Sequence, residues 1–316
     1  MRGVRLKCIL ALALAFAGGA GAAVAQEALV TNQPADSLSV VDLAQMKTVA
    51  EISLSGKPAG IALSPDRKTA YVTAPEGKAL IEIDAASHTI KRQLDLGGGP
   101  LGIAAHPSRS EVYVADWYTH KVVVIDTEKL AVVGEVAVGQ SPSGLAVTPD
   151  GELLLSADRD SDQVSVVDLA KRAPVATIKV GARPFGITIS DDGTRAYTAN
   201  VASNDVTVID IAARKVVGSV KVGRGPYAVA LSKGKGFVTD QIVGTISVFD
   251  TQTLGILKTI EACDHPEGIE QSAADGAIYV ACWGDNKLLK IDPVELKITA
   301  KAEVGDGPRA FGKFLR

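Results

Sequence analysis

Seven prolines recur along the chain at a near-constant interval, and this period limits the possible folds more than any other feature. They stand at Pro58, Pro100, Pro142, Pro184, Pro226, Pro266 and Pro308, 42 residues apart at every step except one of 40. A second series keeps the same spacing with the same single exception: Asp42, Asp84, Asp126, Asp168, Asp210, Asp250 and Asp292. Such a period marks a repeat architecture, in which one unit cannot bury its apolar surface alone and must stack on its neighbours. Within the unit opened by Pro184, four short β-branched segments follow one another: FGITIS, AYTAN, DVTVID and VVGSVKV, with SDDGT as the first turn. Four strands joined by tight turns make a small antiparallel sheet with two apolar faces. Seven such sheets stacked radially close into a ring without long exposed edges, whereas the coils of an open β-solenoid are typically shorter. The expected fold is all-β: a seven-bladed β-propeller of four-stranded antiparallel blades.

The register also predicts how the ring closes. Three strands precede Pro58 (ALVTN, SLSVVDL, TVAEISL), and one, AFGKFL, follows Pro308. Together they make one blade, so the two chain ends share a sheet and protect each other's edges. The first 25 residues fall outside this scheme. Arg2, Arg5 and Lys7 precede an apolar run from Ile9 to Phe16, and Ala23-Val24-Ala25 fits a small-residue cleavage site. Residues 1–25 read as a secretory signal peptide and 26–316 as a single propeller domain, periplasmic or secreted. The apolar run is too short to span a bilayer, and no later segment is long and apolar enough to do so.

The segments AYVTAP, VYVADW, AYTANV, GFVTDQ and ALVTNQ, each followed by VVDL or VID and then VG-x-x-P-x-G, resemble the YVTN repeat over nearly all of residues 26–316. That resemblance, to the YncE-like group, implies a mostly exported seven-bladed propeller. It implies function only weakly, because propellers host unrelated activities. DNA binding, suggested for YncE-like relatives, is disfavoured by charge. The chain carries −3 overall, and the bases of the leader take the remainder to −6, with no dense basic run.

Most repeat positions are structural. Tyr71, Tyr113, Tyr197, Phe237 and Tyr279 share one register with Leu155 and Leu29, and are expected between blades. The seven periodic Asp residues are expected to cap turns. Strand direction puts the VG-x-x-P loops and the ends of the YVTN segments on one rim, the top. His88 and His106 fall on the opposite rim and read as solvated turn residues.

The departures from consensus gather on the top rim. Trp117 and Trp283 share one register, Phe185 and Tyr227 follow their prolines, and Arg309 follows Pro308. Arg183, Arg224, His265 and Glu267 flank the same loops, with Tyr118, His120 and Asp160 near the ends of second strands. Exposed Trp, Tyr and Arg are the residues enriched at recognition hot spots. These twelve residues are the candidate ligand- or partner-binding set, for a protein, a cell-wall fragment or a redox-cofactor protein, set against ordinary loop variation.

One loop stands apart. ACDHPEGI (262–269) aligns with VGARPFGI (180–187), so Cys263 replaces a glycine found at Gly97, Gly139, Gly181, Gly223 and Gly305. Cys282 replaces the Asn or Asp that ends the second strand of the same unit. Both lie on the top rim of one blade. An exported protein favours a disulfide between them. A copper or zinc site of Cys263, His265 and Cys282, with Asp264, is the alternative, though a fourth ligand is not evident. A pair of free thiols is the third. No nucleophile elbow, phosphate loop, H-E-x-x-H or haem-attachment motif occurs, so no catalytic residue is assigned and no cofactor is expected. The sequence reads as a monomeric binding scaffold. The competing reading is a lactonase-like or lyase-like enzyme acting at the central mouth through His265, Glu267 and neighbouring arginines.

Overall fold

The computed structural model describes residues 26–316, so the proposed leader lies outside the described residues. The strands form seven sheets, six of which hold four consecutive strands paired antiparallel in chain order or are built around such a set. Second and third strands are buried on both faces, as in Tyr197–Asn200 and Val206–Ile209, because each sheet is sandwiched between two neighbours. Outer strands alternate exposed and half-buried residues. The aromatic register packs between blades as expected: Tyr113, Tyr279, Phe237, Leu155 and Leu29 are at most 1% exposed. Among the described residues no helix is long and apolar enough to cross a membrane.

Five of the inner strands carry the same irregularity. Pro184 pairs with Asn200, two residues then bulge, and pairing resumes at Ile187–Thr198. The bulge turns the residue after proline toward the axis and presses its carbonyl against the glycine of the preceding blade. A Cβ on Gly144 would lie 2.5 Å from the Phe185 carbonyl oxygen, so this close approach needs glycine. Seven inner strands thus form a tight ring around the axis.

Ring closure follows the three-plus-one scheme. Glu27–Asn32, Ser37–Asp42 and Lys47–Ser53 form one sheet, and the C-terminal segment lies against its inner edge. Asn32 bridges Pro308 and Ala28 bridges Leu315, with Leu29 N–H donating to the Phe314 carbonyl at 2.9 Å. The middle of the segment departs from a plain fourth strand. Phe311–Gly312 pairs in parallel with Gly60–Ile61 of the next blade. The buried Glu270 carboxylate accepts the Phe314 and Leu315 N–H groups at 2.5 and 2.8 Å. The last strand therefore ties three blades together instead of one.

All seven periodic Asp side chains accept backbone N–H groups of the turns that follow them. These bonds favour the ionised form and hold the carboxyls of Asp84, Asp126 and Asp292 below the usual range. Of the two bottom-rim histidines, His106 is enclosed and His88 is half-buried. His106 is 2% exposed; its Nδ1 accepts the Ser108 and Arg109 N–H groups, and Nε2 lies 3.1 Å from the Gly151 carbonyl. His88 lies 3.3 Å from Glu27. His106 takes the place of the turn hydroxyls Ser64, Thr148, Ser190, Ser232 and Ser272, and like Ser232 it bonds a glycine carbonyl of the next blade.

Buried polar side chains end several second strands, and one is the wrong acid for its site. Asn32 Nδ2 donates to Ser37 and Ser39, and Asn200 Nδ2 donates to Asp205 and Thr207. Asp240, in the same register, accepts from Thr245 and Ser247, and burial pushes its carboxyl up to about 6. A raised folded-state value means stability is lost as pH rises from about 4 through about 6. Asp240→Asn, which can bond as Asn32 does, should therefore raise the unfolding free energy at pH 8 by up to about 3 kcal/mol. At pH 4 it should change nothing. Urea titrations at the two pH values check this, and a gain that persists at pH 4 would contradict the ionisation argument.

Candidate functional site

Fourteen positions build the top mouth, two from each blade. The residues after the prolines form its floor: Ala59, Leu101, Ser143, Phe185, Tyr227, Glu267 and Arg309. The residues after the second strands form its wall: Gln33, Pro75, Trp117, Arg159, Val201, Gln241 and Trp283. Small floor residues on one side leave room for large ones on the other. Phe185 lies 4.6 Å from Tyr227 and 5.0 Å from Phe311 between ring centroids, and Tyr227 lies 5.5 Å from Phe311. Trp117 reaches over the small Ser143 to within 6.3 Å of Phe185, and the Arg159 guanidinium sits 5.5 Å from the Trp117 ring. These aromatics plug the axis.

Beside the plug sits an ion pair. Arg309 Nε donates to the Tyr227 hydroxyl at 2.9 Å and lies 3.2 Å from Glu267 Oε2. Its Nη1 donates to Gln33 Oε1 at 2.7 Å, and Gln241 Nε2 donates to Glu267 Oε1 at 2.6 Å. Burial pushes the Glu267 carboxyl up, and the Arg309 charge pulls it back. Burial likewise pushes the Tyr227 hydroxyl above its ordinary value.

The structure divides the twelve candidate residues. Phe185, Tyr227 and Glu267 are buried at 7%, 3% and 4% exposure, and Arg309 is largely enclosed, so these four form the floor and not an exposed rim. The bulge after each proline is what turns them inward. Trp117 is half-buried above them, and Trp283 is 37% exposed across the mouth, beside His265. Tyr118 is 72% exposed, where it covers the backbone of Gly99. Asp160, Arg183 and Arg224 are exposed, and Asp160 pairs with Arg159. Gln33, Gln241 and Phe311 complete the floor's bonding and packing without having stood out in the sequence.

His120 has a structural task. It occupies the left-handed last position of a turn, with φ 58°, as do Asp36, Asp162, Asn204 and Asn286 in their blades. Each of these side chains accepts the N–H of the pre-proline residue 21 positions on, in the next blade. His120 Nδ1 does the same for Ser141 at 3.1 Å. The shared requirement is an acceptor two bonds from Cβ, which Asp, Asn and His all supply.

The cysteines are joined: Cys263 and Cys282 form a disulfide with Cα atoms 5.9 Å apart. Their joint appearance has a packing cause. In sister blades the glycine at the position of Cys263 lies directly over the Asn or Asp at the position of Cys282. A Cβ on Gly181 would fall 2.6 Å from Asn200 Nδ2, and one on Gly305 would fall 2.4 Å from Asn32 Nδ2. A side chain at the first position is admissible only if the second changes with it. Leu289 likewise replaces the hydroxyl that Ser39, Thr207 and Ser247 supply. With both sulfurs bonded to each other, neither offers the thiolate that a copper or zinc site would need.

His265 Nδ1 lies 2.6 Å from Asp264 Oδ1, on the exposed side of this loop. Below the aromatic plug the axis holds a separate cavity of about 240 Å³, bounded above by Phe311. Its wall is the backbone and small side chains of the inner strands, including Gly102, Gly144 and Gly186, with Glu270 and Lys313 at the sides. None of the twelve candidate residues lines it, and Glu270 is committed to the C-terminal strand.

No curated protein matches the chain. Several solved structures share its fold. Hydrazine synthase of Kuenenia stuttgartiensis aligns with a TM-score of 0.75 at 20% identity, over 83% of this chain and 91% of that one. A functionally unknown protein from Desulfotomaculum acetoxidans gives 0.77 at 14% identity, over 90% and 99%. The dihydro-heme d1 dehydrogenase NirN, in complex with DHE, gives 0.69 at 15% identity, over 89% and 74%. At these identities the likeness is one of fold. The family of YNCE-like beta-propellers matches residues 4–108, and the chain is a seven-bladed propeller of that architecture.

Proposed function

We propose that the protein is an exported, monomeric binding scaffold that engages a partner through its top face. The observation that carries this reading is the pairing of a rigid floor with aromatic side chains that stand partly or fully exposed around it. The floor's charges are paired and its aromatics packed, while Trp117, Tyr118 and Trp283 present indole and phenol surface to solvent. Large aromatics held by a preorganised base lose little entropy on binding. Export accords with the leader-like sequence and with a disulfide in the fold. Partner classes that suit such a face are a protein, a cell-wall fragment or a redox-cofactor protein.

The enzyme reading has one observation in its favour, the carboxylate-held imidazole of His265. Its other candidate, Glu267, is enclosed and already bonded to Gln241. Cross-linking in periplasmic extract tests both readings. Trp117→Ala with Trp283→Ala should reduce partner capture about tenfold or more, as loss of two aromatic anchors does. Val294→Ser, on the bottom rim and 69% exposed, should leave capture unchanged. Equal effects of the two changes would reject top-face binding. Loss of all activity with His265→Ala alone, and no effect of the Trp pair, would favour the enzyme.

A further inference from the structure

We infer that the Cys263–Cys282 disulfide is an exchange site for a protein dithiol, which docks in the open groove beside Ile242 and Val243. This inference is independent of which partner the mouth binds. Three features of the blade converge on it.

The first is the unequal exposure of the two cysteines. Cys282 is 0% exposed, whereas Cys263 is half-buried and lines a groove with Ile242, Val243, Gly244, Glu261 and Asp264. The second is a missing cover. Asp36, His120, Asp162, Asn204 and Asn286 each lay a side chain onto the next blade's pre-proline loop. The corresponding residue before the cysteine loop is Gly244, at φ 74°, which has no side chain to give. A Cβ there would lie 2.8 Å from the Cys263 carbonyl oxygen, so the loop runs where a side chain would begin. The third is the apolar surface next to the gap. Ile242 is 54% exposed and Val243 is 43% exposed, directly before the uncovered position. An apolar patch bordering the half-buried cysteine of the pair suits a partner whose thiol must be brought onto Cys263, and Glu261 and Asp264 favour a partner with basic residues around it.

The chemistry balances as ordinary thiol–disulfide exchange. The partner's thiolate attacks Cys263 Sγ and forms a mixed disulfide there. The Cys263–Cys282 bond breaks, and Cys282 Sγ leaves with the electron pair and takes up a proton. The partner's second thiol then displaces Cys263, which is released as a thiol, and the partner becomes the disulfide. Two electrons and two protons pass from the dithiol to this chain. The loop carrying Asp264, His265 and the neighbour of Trp283 then loses its covalent tie to the blade. Gly244 of the preceding blade offers no side chain to replace that tie.

The experiment uses the oxidised full chain and a Cys-x-x-Cys protein whose second cysteine is replaced by Ser. A covalent adduct mapped by mass spectrometry to Cys263 is expected; an adduct on Cys282, or none, overturns the assignment. With the intact dithiol protein, Ile242→Glu plus Val243→Glu should slow reduction about tenfold, the scale of losing a small apolar anchor pair. Reduction by dithiothreitol should proceed at the same rate in both proteins. Equal rates with the protein dithiol would reject the groove, and a slower reaction with dithiothreitol as well would attribute the effect to the loop and not to docking.

Discussion

Removing residues 308–316 should leave a chain with no cooperative unfolding transition. The segment closes the ring, and its contributions are concentrated in a few buried groups. Phe314 is 0% exposed, and Phe311, Leu315 and Ala310 are 5% or less. Truncating a buried Phe alone costs about 3–5 kcal/mol, and a whole domain is stable by only about 5–15 kcal/mol. The deletion also strands the Glu270 carboxylate, which loses both backbone donors, and the Glu267 carboxylate, which loses Arg309. It exposes the inner edge of Glu27–Asn32 to pairing with other chains. Circular dichroism melts check the expectation, and a truncated protein that melts like the full chain would sink the closure scheme. If the truncated chain only aggregates, Phe314→Ala supplies the graded version, with an expected loss of about 3–5 kcal/mol.

That closure was legible in the sequence, because it needs only counting. The 42-residue period gave the strand number, and three strands before Pro58 require one after Pro308. The parallel step of Phe311–Gly312 onto Gly60–Ile61 was not legible, since it depends on the bulge after proline and on Glu270 reaching the last strand from another blade. The disulfide was legible for a related reason. Cys263 and Cys282 replace two residues that touch in four of the five sister blades with the glycine, and the repeat alignment shows both losses at once. His120 stood out because its residue type differs from its sisters, while its accepting atom does the same work as theirs. The floor of the mouth was the hardest part to read. Whether Phe185 and Tyr227 stand in solvent or pack on the axis depends on how much room Ala59, Leu101 and Ser143 leave opposite them. Seven side chains compete for one small space, and no single repeat records the outcome. Gln33 and Gln241 escaped notice because an amide on a loop is unremarked until a buried ion pair is found beside it.

The ion pair on that floor gives the second large expected effect. Arg309→Ala should cost about 3–5 kcal/mol at pH 8, the scale on which a buried pair is broken by removing one partner. Glu267, 4% exposed, would keep its bond from Gln241 but lose the charge that offsets its burial. The sign with pH follows from the direction of its shift. Burial already raises the Glu267 carboxyl, and losing Arg309 removes the group that pulls it back. Stability in the variant is then greatest where the carboxyl is protonated in both folded and unfolded chains. It is lost as pH rises above the ordinary carboxylate range toward the raised folded value. Unfolding in urea should therefore show a smaller loss at pH 5 than at pH 8. Adding Glu267→Gln to Arg309→Ala should recover part of the loss at pH 8 and little at pH 5, because the amide needs no counter-charge and can still accept from Gln241. A loss of equal size at both pH values, with no recovery in the double variant, would mean that Arg309 acts through its packing against Tyr227 and not through its charge. In that case the floor of the mouth is held by the Phe185, Tyr227 and Phe311 contacts alone, and Trp117 should keep its position above them in the Arg309 variant.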